Sequence, residues 1–231
     1  MDKNSPKIKI TEDGPYIVTG DVPLKQAVIE QDEQGNSVAW GEGRAYDTEG
    51  KPYALCRCGR SKNKPFCDGT HASIGWKGKE TASRAPYAEA ARVFEGETAD
   101  MLDRQELCAV ARFCDVINAW QMIMQSSEAH PEREEIATRE ACDCPSGRLT
   151  VRKNGAEVEK ELPQEICPVE DLYYDVKGPL FVKGGVMLES ADGSTYEVRN
   201  RRTLCRCGES RNLPFCDATH LKCEHMKGLD E

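Results

Sequence analysis

The chain of 231 residues lacks any long uninterrupted apolar run. Its first thirty residues contain no apolar stretch of the kind that a secretory signal peptide has. No segment approaches the roughly 18 consecutive apolar residues that a membrane-spanning helix needs. The cytoplasm is therefore the expected location, and a membrane is not expected among the partners.

The sequence also lacks an excess of positive charge, with 31 basic against 40 acidic residues and a net charge of −9. A protein that binds a nucleic-acid backbone needs clustered cations, so a nucleic-acid partner is not expected. Charged residues make up 31% of the chain and hydrophobic residues 39%. This composition predicts a folded protein with modest cores, which a bound metal often helps to stabilise.

Signatures of common enzymes are missing as well. The chain contains no Ser-His-Asp order, no phosphate-cradling glycine loop and no HExxH. Its carboxylates are abundant but scattered, so no acid–base pair stands out. We expect no catalytic residues and predict a protein that is not an enzyme.

Cysteine, in contrast, is plentiful, with 12 residues. Because a reducing cytoplasm disfavours disulfides, cysteine-dense cytosolic chains more often bind metal. CRCGRSKNKPFCDGTH at 56–71 and CRCGESRNLPFCDATH at 205–220 share one spacing, C-x-C-x8-C-x3-H, and 12 of 16 positions are identical. The candidate ligands are Cys56, Cys58, Cys67 and His71 in the first copy, and Cys205, Cys207, Cys216 and His220 in the second.

Three thiolates and one imidazole suit either zinc or an iron-sulfur cluster. Zinc sites usually separate paired cysteines by two to four residues, and a C-x-C pair is tighter. Such a pair can hold one iron of a 2Fe-2S rhombus while the distant Cys and His hold the other. Asp68 and Asp217 follow the third cysteine and are predicted to cap a short helix that carries the histidine.

The repeat extends beyond the cysteines. GPYIVTGDVPL at 14–24 is similar to GPLFVKGGVML at 178–188, and short strand patterns follow each before the motif. This predicts an α+β protein with two small strand-rich units at 7–84 and 166–225, and a mainly helical insert at 85–165. The two units either pair across a pseudo-twofold axis or stand apart.

Two helices are predicted in the insert. From Asp103 to Ser126, apolar residues recur at steps of three and four and form one stripe; they are Val110, Phe113, Ile117, Trp120 and Met124. A second, charged helix is predicted from Glu128 to Glu140.

The paired motif resembles the CDGSH iron-sulfur domain of the mitoNEET type, whose pattern is C-x-C-x2-S/T-x3-P-x-C-D-G-S/A/T-H. The first copy matches throughout, and the second departs only at Ala218, where glycine is usual. The resemblance implies two 2Fe-2S clusters held by the eight ligands named above. It further implies electron transfer or cluster storage and transfer, with a redox partner or an apo iron-sulfur acceptor protein. The chain would be a monomer with internal pseudo-symmetry or a homodimer; a structural zinc-binding interaction module is the alternative.

Four further cysteines lie in the insert: Cys108, Cys114, Cys142 and Cys144. The C-x5-C spacing and the later Cys-Pro resemble a divergent single-cluster ferredoxin, which implies a possible third cluster, 3Fe-4S or 4Fe-4S, with Cys142 as a candidate fourth ligand. On an unbroken helix, however, the six residues from Cys108 to Cys114 turn through about 600°, so the two side chains point in different directions and do not converge.

The remaining chemistry-bearing residues are interpreted as solvated. Cys223 and His225 form a C-x-H that we assign to a solvated tail. The cations around the two loops are expected to be ordinary solvated charges, with steering of an acidic partner as the alternative; they are Arg60, Lys62, Lys64, Arg206 and Arg211.

Overall fold

The computed structural model describes residues 5–115 and 118–229. Its strands are β1 Lys7–Ile10, β2 Tyr16–Thr19, β3 Leu24–Gln31, β4 Ser37–Tyr46, β5 Tyr53–Leu55, β6 Arg92–Glu95, β7 Asp100–Asp103, β8 Leu149–Lys153, β9 Ala156–Val158, β10 Glu165–Asp171, β11 Val176–Lys183, β12 Met187–Glu189 and β13 Arg201–Leu204. Its α-helices are α1 Thr70–Ser73, α2 Tyr87–Ala90, α3 Ala119–Met124 and α4 Pro131–Asp143. Turns of 3-10 helix cover Gln105–Leu107, Thr219–Lys222 and Glu224–Met226.

The N-terminal and C-terminal parts exchange strands. One sheet has the order β12-β1-β2-β5, and a second has the order β13-β11-β10-β3-β4. In the first sheet β12 runs parallel to β1, with Ile8 opposite Leu188. In the second, β3 runs parallel to β10, with Ala27 opposite Val169. The C-terminal part therefore supplies β12 to the first sheet, and the N-terminal part supplies β3 and β4 to the second.

An apolar core joins the two sheets, to which alternating positions of β2 and almost every position of β10, β11 and β13 contribute buried side chains. Its fully or nearly fully buried members come from both parts: Ile8, Ile10, Tyr16, Val18, Val22, Leu24, Leu55, Ile166, Leu180, Val182, Val186, Leu188, Tyr196 and Leu204. The Tyr16 hydroxyl crosses between the parts and donates to the backbone carbonyl of Cys205 at 2.9 Å. The first cysteine of the second motif is thus held by a side chain from the first repeat.

The middle of the chain has a core of its own. Strands β6 to β9 form a third sheet, in that order, and α3 and α4 pack against each other and the sheet. The second predicted helix is confirmed as α4, which begins at Pro131, where proline suits the first helical turn. The segment contains strands as well as helices. Among the described residues, no helix combines the length and apolar composition needed to cross a membrane.

The helix predicted from Asp103 to Ser126 is confirmed only near its end, as α3 Ala119–Met124, and is wrong before that. Asp103 ends strand β7, and Val110 and Arg112 take left-handed backbone angles, with φ of 55° and 65°, which no α-helix tolerates. The apolar stripe is divided as well. Phe113 packs on Trp40 of the second sheet at a ring-centroid distance of 4.8 Å, while Met124 is exposed; Ile117 lies outside the described residues.

Candidate metal centres

The two cysteine motifs fold into loops of the same design. Strands β5 and β13 end at the first cysteine of each. Cys56 donates its backbone N–H to the carbonyl of Pro65 at 2.8 Å, and the equivalent bond from Cys205 to Pro214 has the same length. A serine hydroxyl closes each loop by donating to the carbonyl before the third cysteine: the oxygen–oxygen distances are 2.6 Å for Ser61 and 2.7 Å for Ser210. Identical local sequence thus gives identical local hydrogen bonding.

Within each loop the four candidate ligands form two pairs. In the first loop the Sγ atoms of Cys56 and Cys58 are 3.8 Å apart, and Cys67 Sγ lies 3.3 Å from His71 Nδ1. In the second loop the corresponding distances are 3.5 Å and 3.4 Å.

The two pairs of a loop do not close around one point. A tetrahedral zinc ion with Zn–S bonds of about 2.3 Å holds its ligand atoms roughly 3.8 Å from one another. In the part of the chain that the structure describes, no three candidate ligand atoms of either loop lie within 4.8 Å of one another. The donor set suits a binuclear group, which each pair can grip at one metal, better than a single ion.

The two sites differ sharply in exposure. His220 is 4% exposed and Cys216 is 3% exposed, whereas His71 and Cys67 are partly accessible to solvent. Burial lowers the pKa of His220 to about 4, and the neighbouring Arg206 acts in the same direction. The imidazole of the second site is therefore kept neutral, which is the form that binds a metal.

The thiols are set up for a cation. Burial raises the pKa of Cys56, Cys67 and Cys216, so a bare thiolate is costly there unless a metal compensates it. Backbone N–H groups already point at sulfur: Gly69 lies 3.5 Å from Cys67 Sγ, and Ala218 lies 3.4 Å from Cys216 Sγ. Such donors favour the ionised sulfur that a metal requires.

The two loops touch backbone to backbone. A Cβ placed on Gly59 would lie 2.5 Å from the carbonyl oxygen of Cys207, and one on Gly208 would lie 2.5 Å from the carbonyl oxygen of Cys58. Both glycines have positive φ. The second cysteines of the two motifs, Cys58 and Cys207, therefore each lie in backbone contact with the glycine that follows the other.

The turn before each histidine is held by aspartate. Asp68 accepts from the backbone N–H groups of Lys62 and Thr70, at 2.8 Å and 3.0 Å, and these bonds lower its pKa. It sits one residue before the cap of α1, which is Gly69. In the second loop Ala218 occupies that cap position, with φ of 66° against 85° for Gly69.

Of the central cysteines, three share one region and the fourth does not. Burial raises the pKa of Cys114, and the nearby Cys144 and Cys108 add to that effect. Cys108 also acts on the pKa of Cys216, which burial raises first. Cys142 instead lies on α4 with its Sγ 3.7 Å from the carbonyl of Val158. The structure thus gives no support to Cys142 as a fourth ligand of a group held by the other three.

Two expectations about the surroundings are wrong. Arg206 is not solvated: it is 2% exposed and forms an ion pair with Glu170 at 2.8 Å. Its equivalent Arg57 is equally buried, with its Nε donating to the carbonyl of Gly14 at 2.8 Å. Both motifs have an arginine between their first two cysteines, and this repetition was the sequence feature that could have predicted a buried structural role for it. Cys223 is buried as well, at 4% exposed, so it does not lie in a solvated tail.

Two loops that present sulfur and imidazole pairs from a shared β-structure define a metal-binding protein with two related centres. The family model for the "iron-binding zinc finger CDGSH type" matches residues 13–72 and 177–221. The chain therefore contains two regions of the CDGSH type, and such an iron-binding domain indicates an iron-sulfur protein.

A curated relative agrees over a short stretch. The mouse protein "CDGSH iron-sulfur domain-containing protein 3, mitochondrial" is 73% identical over 22 residues. That stretch covers 10% of this chain and 16% of the mouse protein. No solved structure gives a significant match.

Proposed function

We propose that the chain holds two 2Fe-2S clusters and acts in electron transfer. The ligands would be Cys56, Cys58, Cys67 and His71 for one cluster, and Cys205, Cys207, Cys216 and His220 for the other. A bound cluster would supply one-electron chemistry, and exchanging one thiolate for a neutral imidazole raises its reduction potential above that of an all-cysteine cluster. The second loop would surround its cluster with buried ligands, whereas Cys67 and His71 of the first loop are partly exposed.

The contact between Gly59 and Cys207, and between Gly208 and Cys58, supports this proposal most directly. The two proposed clusters would then lie on either side of one non-covalent backbone contact, which would favour electron exchange within one chain. The pairing of ligand atoms, too open for one ion, speaks against the structural zinc module.

Cluster storage and donation is the second candidate, and the exposure difference favours it for the first site. A cluster can be passed to an apo acceptor protein only if its ligands are reachable. His71 and Cys67 are partly exposed, while their counterparts His220 and Cys216 are buried. We propose that any donation occurs from the first site and that the second site retains its cluster.

The strand exchange supports an internal dimer. We propose that units 7–84 and 166–225 are two halves related by a pseudo-twofold axis, with 85–165 as an insert between them. Both parallel pairings, β1 with β12 and β3 with β10, follow that reciprocal pattern. The partner would then be a redox protein or an apo iron-sulfur protein rather than a second copy, and we propose no catalytic activity and a cytoplasmic location.

A third cluster at Cys108, Cys114 and Cys144 is a further candidate. The objection from helix geometry is removed, because residues between Cys108 and Cys114 form an irregular loop with positive φ at Val110 and Arg112. Three ligands are enough for a 3Fe-4S cluster, or for a 4Fe-4S cluster with one non-protein ligand.

A visible absorption spectrum of protein purified without air tests these proposals, with iron, sulfide and zinc assayed on the same sample. We expect a coloured protein with about four irons and four sulfides per chain. Three or four additional irons would indicate the third cluster. A colourless protein with two zinc ions would overturn the redox function and leave a metal-stabilised interaction module.

A further inference from the structure

Close to the second loop, three side chains of different chemistry converge. A carboxylate oxygen of Glu209, the sulfur of Cys223 and a ring nitrogen of His225 all lie within 4.8 Å of one another. Cys223 Sγ is 3.5 Å from Glu209 Oε2, and His225 Nδ1 is 3.9 Å from Glu209 Oε1. These separations resemble the roughly 3–4 Å between ligand atoms in a tetrahedral metal site.

The histidine is oriented as a metal ligand. Its Nε2 lies 2.9 Å from the carbonyl oxygen of Cys207. A carbonyl only accepts, so Nε2 carries the proton and the neutral ring turns the lone pair of Nδ1 towards Glu209. Metal-bound histidines commonly fix their orientation in this way, by donating the second ring N–H to a backbone carbonyl. A Cβ placed on Gly59 would lie 2.7 Å from the same ring nitrogen, so the imidazole occupies space that a side chain at position 59 would fill.

The Glu209 carboxylate already pairs with Arg60 at 3.1 Å, and the same oxygen also faces Nδ1 of His225. With Nε2 protonated, Nδ1 and the carboxylate present lone pairs to each other across 3.9 Å. The Cys223 thiol has one proton to give, and the carbonyl of Thr219 at 3.4 Å also competes for it. A divalent ion would satisfy all three donors at once. Half of the Glu209 side chain is exposed, which leaves the ion a path from solvent.

We propose that Glu209, Cys223 and His225 bind one divalent transition-metal ion, in addition to the groups held by the eight candidate cluster ligands. One sulfur, one nitrogen and one carboxylate oxygen form a borderline donor set that suits Zn²⁺ or Fe²⁺ and leaves one position open. The ion would fix the C-terminal 3-10 turns to the second loop, since Glu209 belongs to that loop and Cys223 and His225 to the terminal segment. It would also tie in the first loop, because Arg60 pairs with Glu209 at 3.1 Å.

Zinc titration of the cluster-loaded full chain tests the site, by calorimetry and by X-ray absorption at the zinc edge. We expect one zinc per chain without loss of iron, and a spectrum with one sulfur at about 2.3 Å and nitrogen or oxygen at about 2.0–2.1 Å. Glu209→Gln, Cys223→Ser and His225→Ala should each weaken binding by about tenfold or more. Because serine is similar in size to cysteine, Cys223→Ser should keep the local packing, and it provides the test if His225→Ala does not fold.

Two matched controls come from the same chain. Glu224→Gln removes a carboxylate next to the site that faces solvent, and His130→Ala removes an exposed histidine that pairs with Glu132 at 3.2 Å. Both should bind zinc as the parent does. Equal binding by the site variants, a zinc spectrum without sulfur, or zinc uptake matched by iron loss would overturn the inference. A parent protein without iron would instead count against the proposed clusters, and the comparison of variants would still decide the zinc site.

Discussion

At the scale of single residues, the two histidines differ although their motifs are nearly identical. His71 is partly exposed and His220 is 4% exposed. Acid should reach the first site earlier, because protonation of an imidazole competes with its bond to iron. Loss of cluster absorbance on acidification should therefore proceed in two phases, with the first site leading.

Replacing one histidine at a time assigns the phases. We expect His71→Cys to slow the first phase and His220→Cys to slow the second, and each to lower the potential of its own cluster by on the order of 100 mV, since a thiolate adds negative charge. Absorbance decay at acidic pH and redox titration measure both effects. His130→Ala is the control, and unchanged acid lability in the double His→Cys variant would contradict the account.

The cap before each histidine gives a second prediction. Ala218 holds a left-handed conformation that glycine adopts freely. Ala218→Gly should therefore stabilise the protein by about 1 kcal/mol, and Gly69→Ala should destabilise it by a similar amount. Gly69 has open space around its Cα, so backbone conformation is the sole cause there. Chemical unfolding measures the change, and equal stability of all three proteins would show that the loops relax.

The spacing of the cysteines indicated which side chains lie together in each loop because spacing is local, but it carried no information about burial. The four positions at which the motifs differ do not by themselves predict that His220 is buried and His71 partly exposed. The same holds for Cys223 and His225, since a short C-x-H does not reveal that Glu209 will lie beside it.

At the scale of elements, the contact between the loops depends on two glycines. Gly59→Ala or Gly208→Ala would push a methyl group against a cysteine carbonyl at 2.5 Å. We expect destabilisation of about 1–3 kcal/mol and faster cluster loss. Gly69→Ala shares the positive φ without the contact, so it separates backbone strain from loop packing. If Gly59→Ala, Gly208→Ala and Gly69→Ala lowered the stability equally, the contact between the loops would not be the cause of the destabilisation.

The failure of the first predicted helix also belongs to this scale. Apolar residues at steps of three and four suggested one face, yet Phe113 packs on the second sheet while Trp120 packs against the middle core. Left-handed angles at Val110 and Arg112, both unfavourable for side chains with a Cβ, come from tertiary packing rather than local preference. Helix α4 was predicted because its charge pattern and Pro131 act locally.

At the scale of the whole molecule, strand exchange makes the two halves depend on each other. Alternating apolar and polar residues predicted the strands, but a local pattern does not identify the strand with which each one pairs. Strand β1 pairs with β12, and the Lys7–Glu189 ion pair joins residues 182 positions apart. A fragment 1–84 alone lacks the fourth strand of its sheet. We expect it to be unfolded or self-associated, and to regain strand content and cluster binding when mixed with 166–231.

Circular dichroism, sedimentation and iron content of the separate and mixed fragments measure this. The matched comparison is the intact chain at the same concentration. A monomeric 1–84 fragment with native strand content would contradict mutual dependence and would favour units that stand apart.

The reciprocal exchange of β3 and β12 has one more consequence. Two separate chains joined in this way would come apart on dilution, whereas here the connecting segment keeps the halves at a high effective concentration whatever the amount of protein. It also lets each half accumulate its own substitutions, because a change in one is not copied into the other. A sheltered centre and an accessible one can then evolve within a single molecule, an asymmetry that a homodimer of identical chains does not encode.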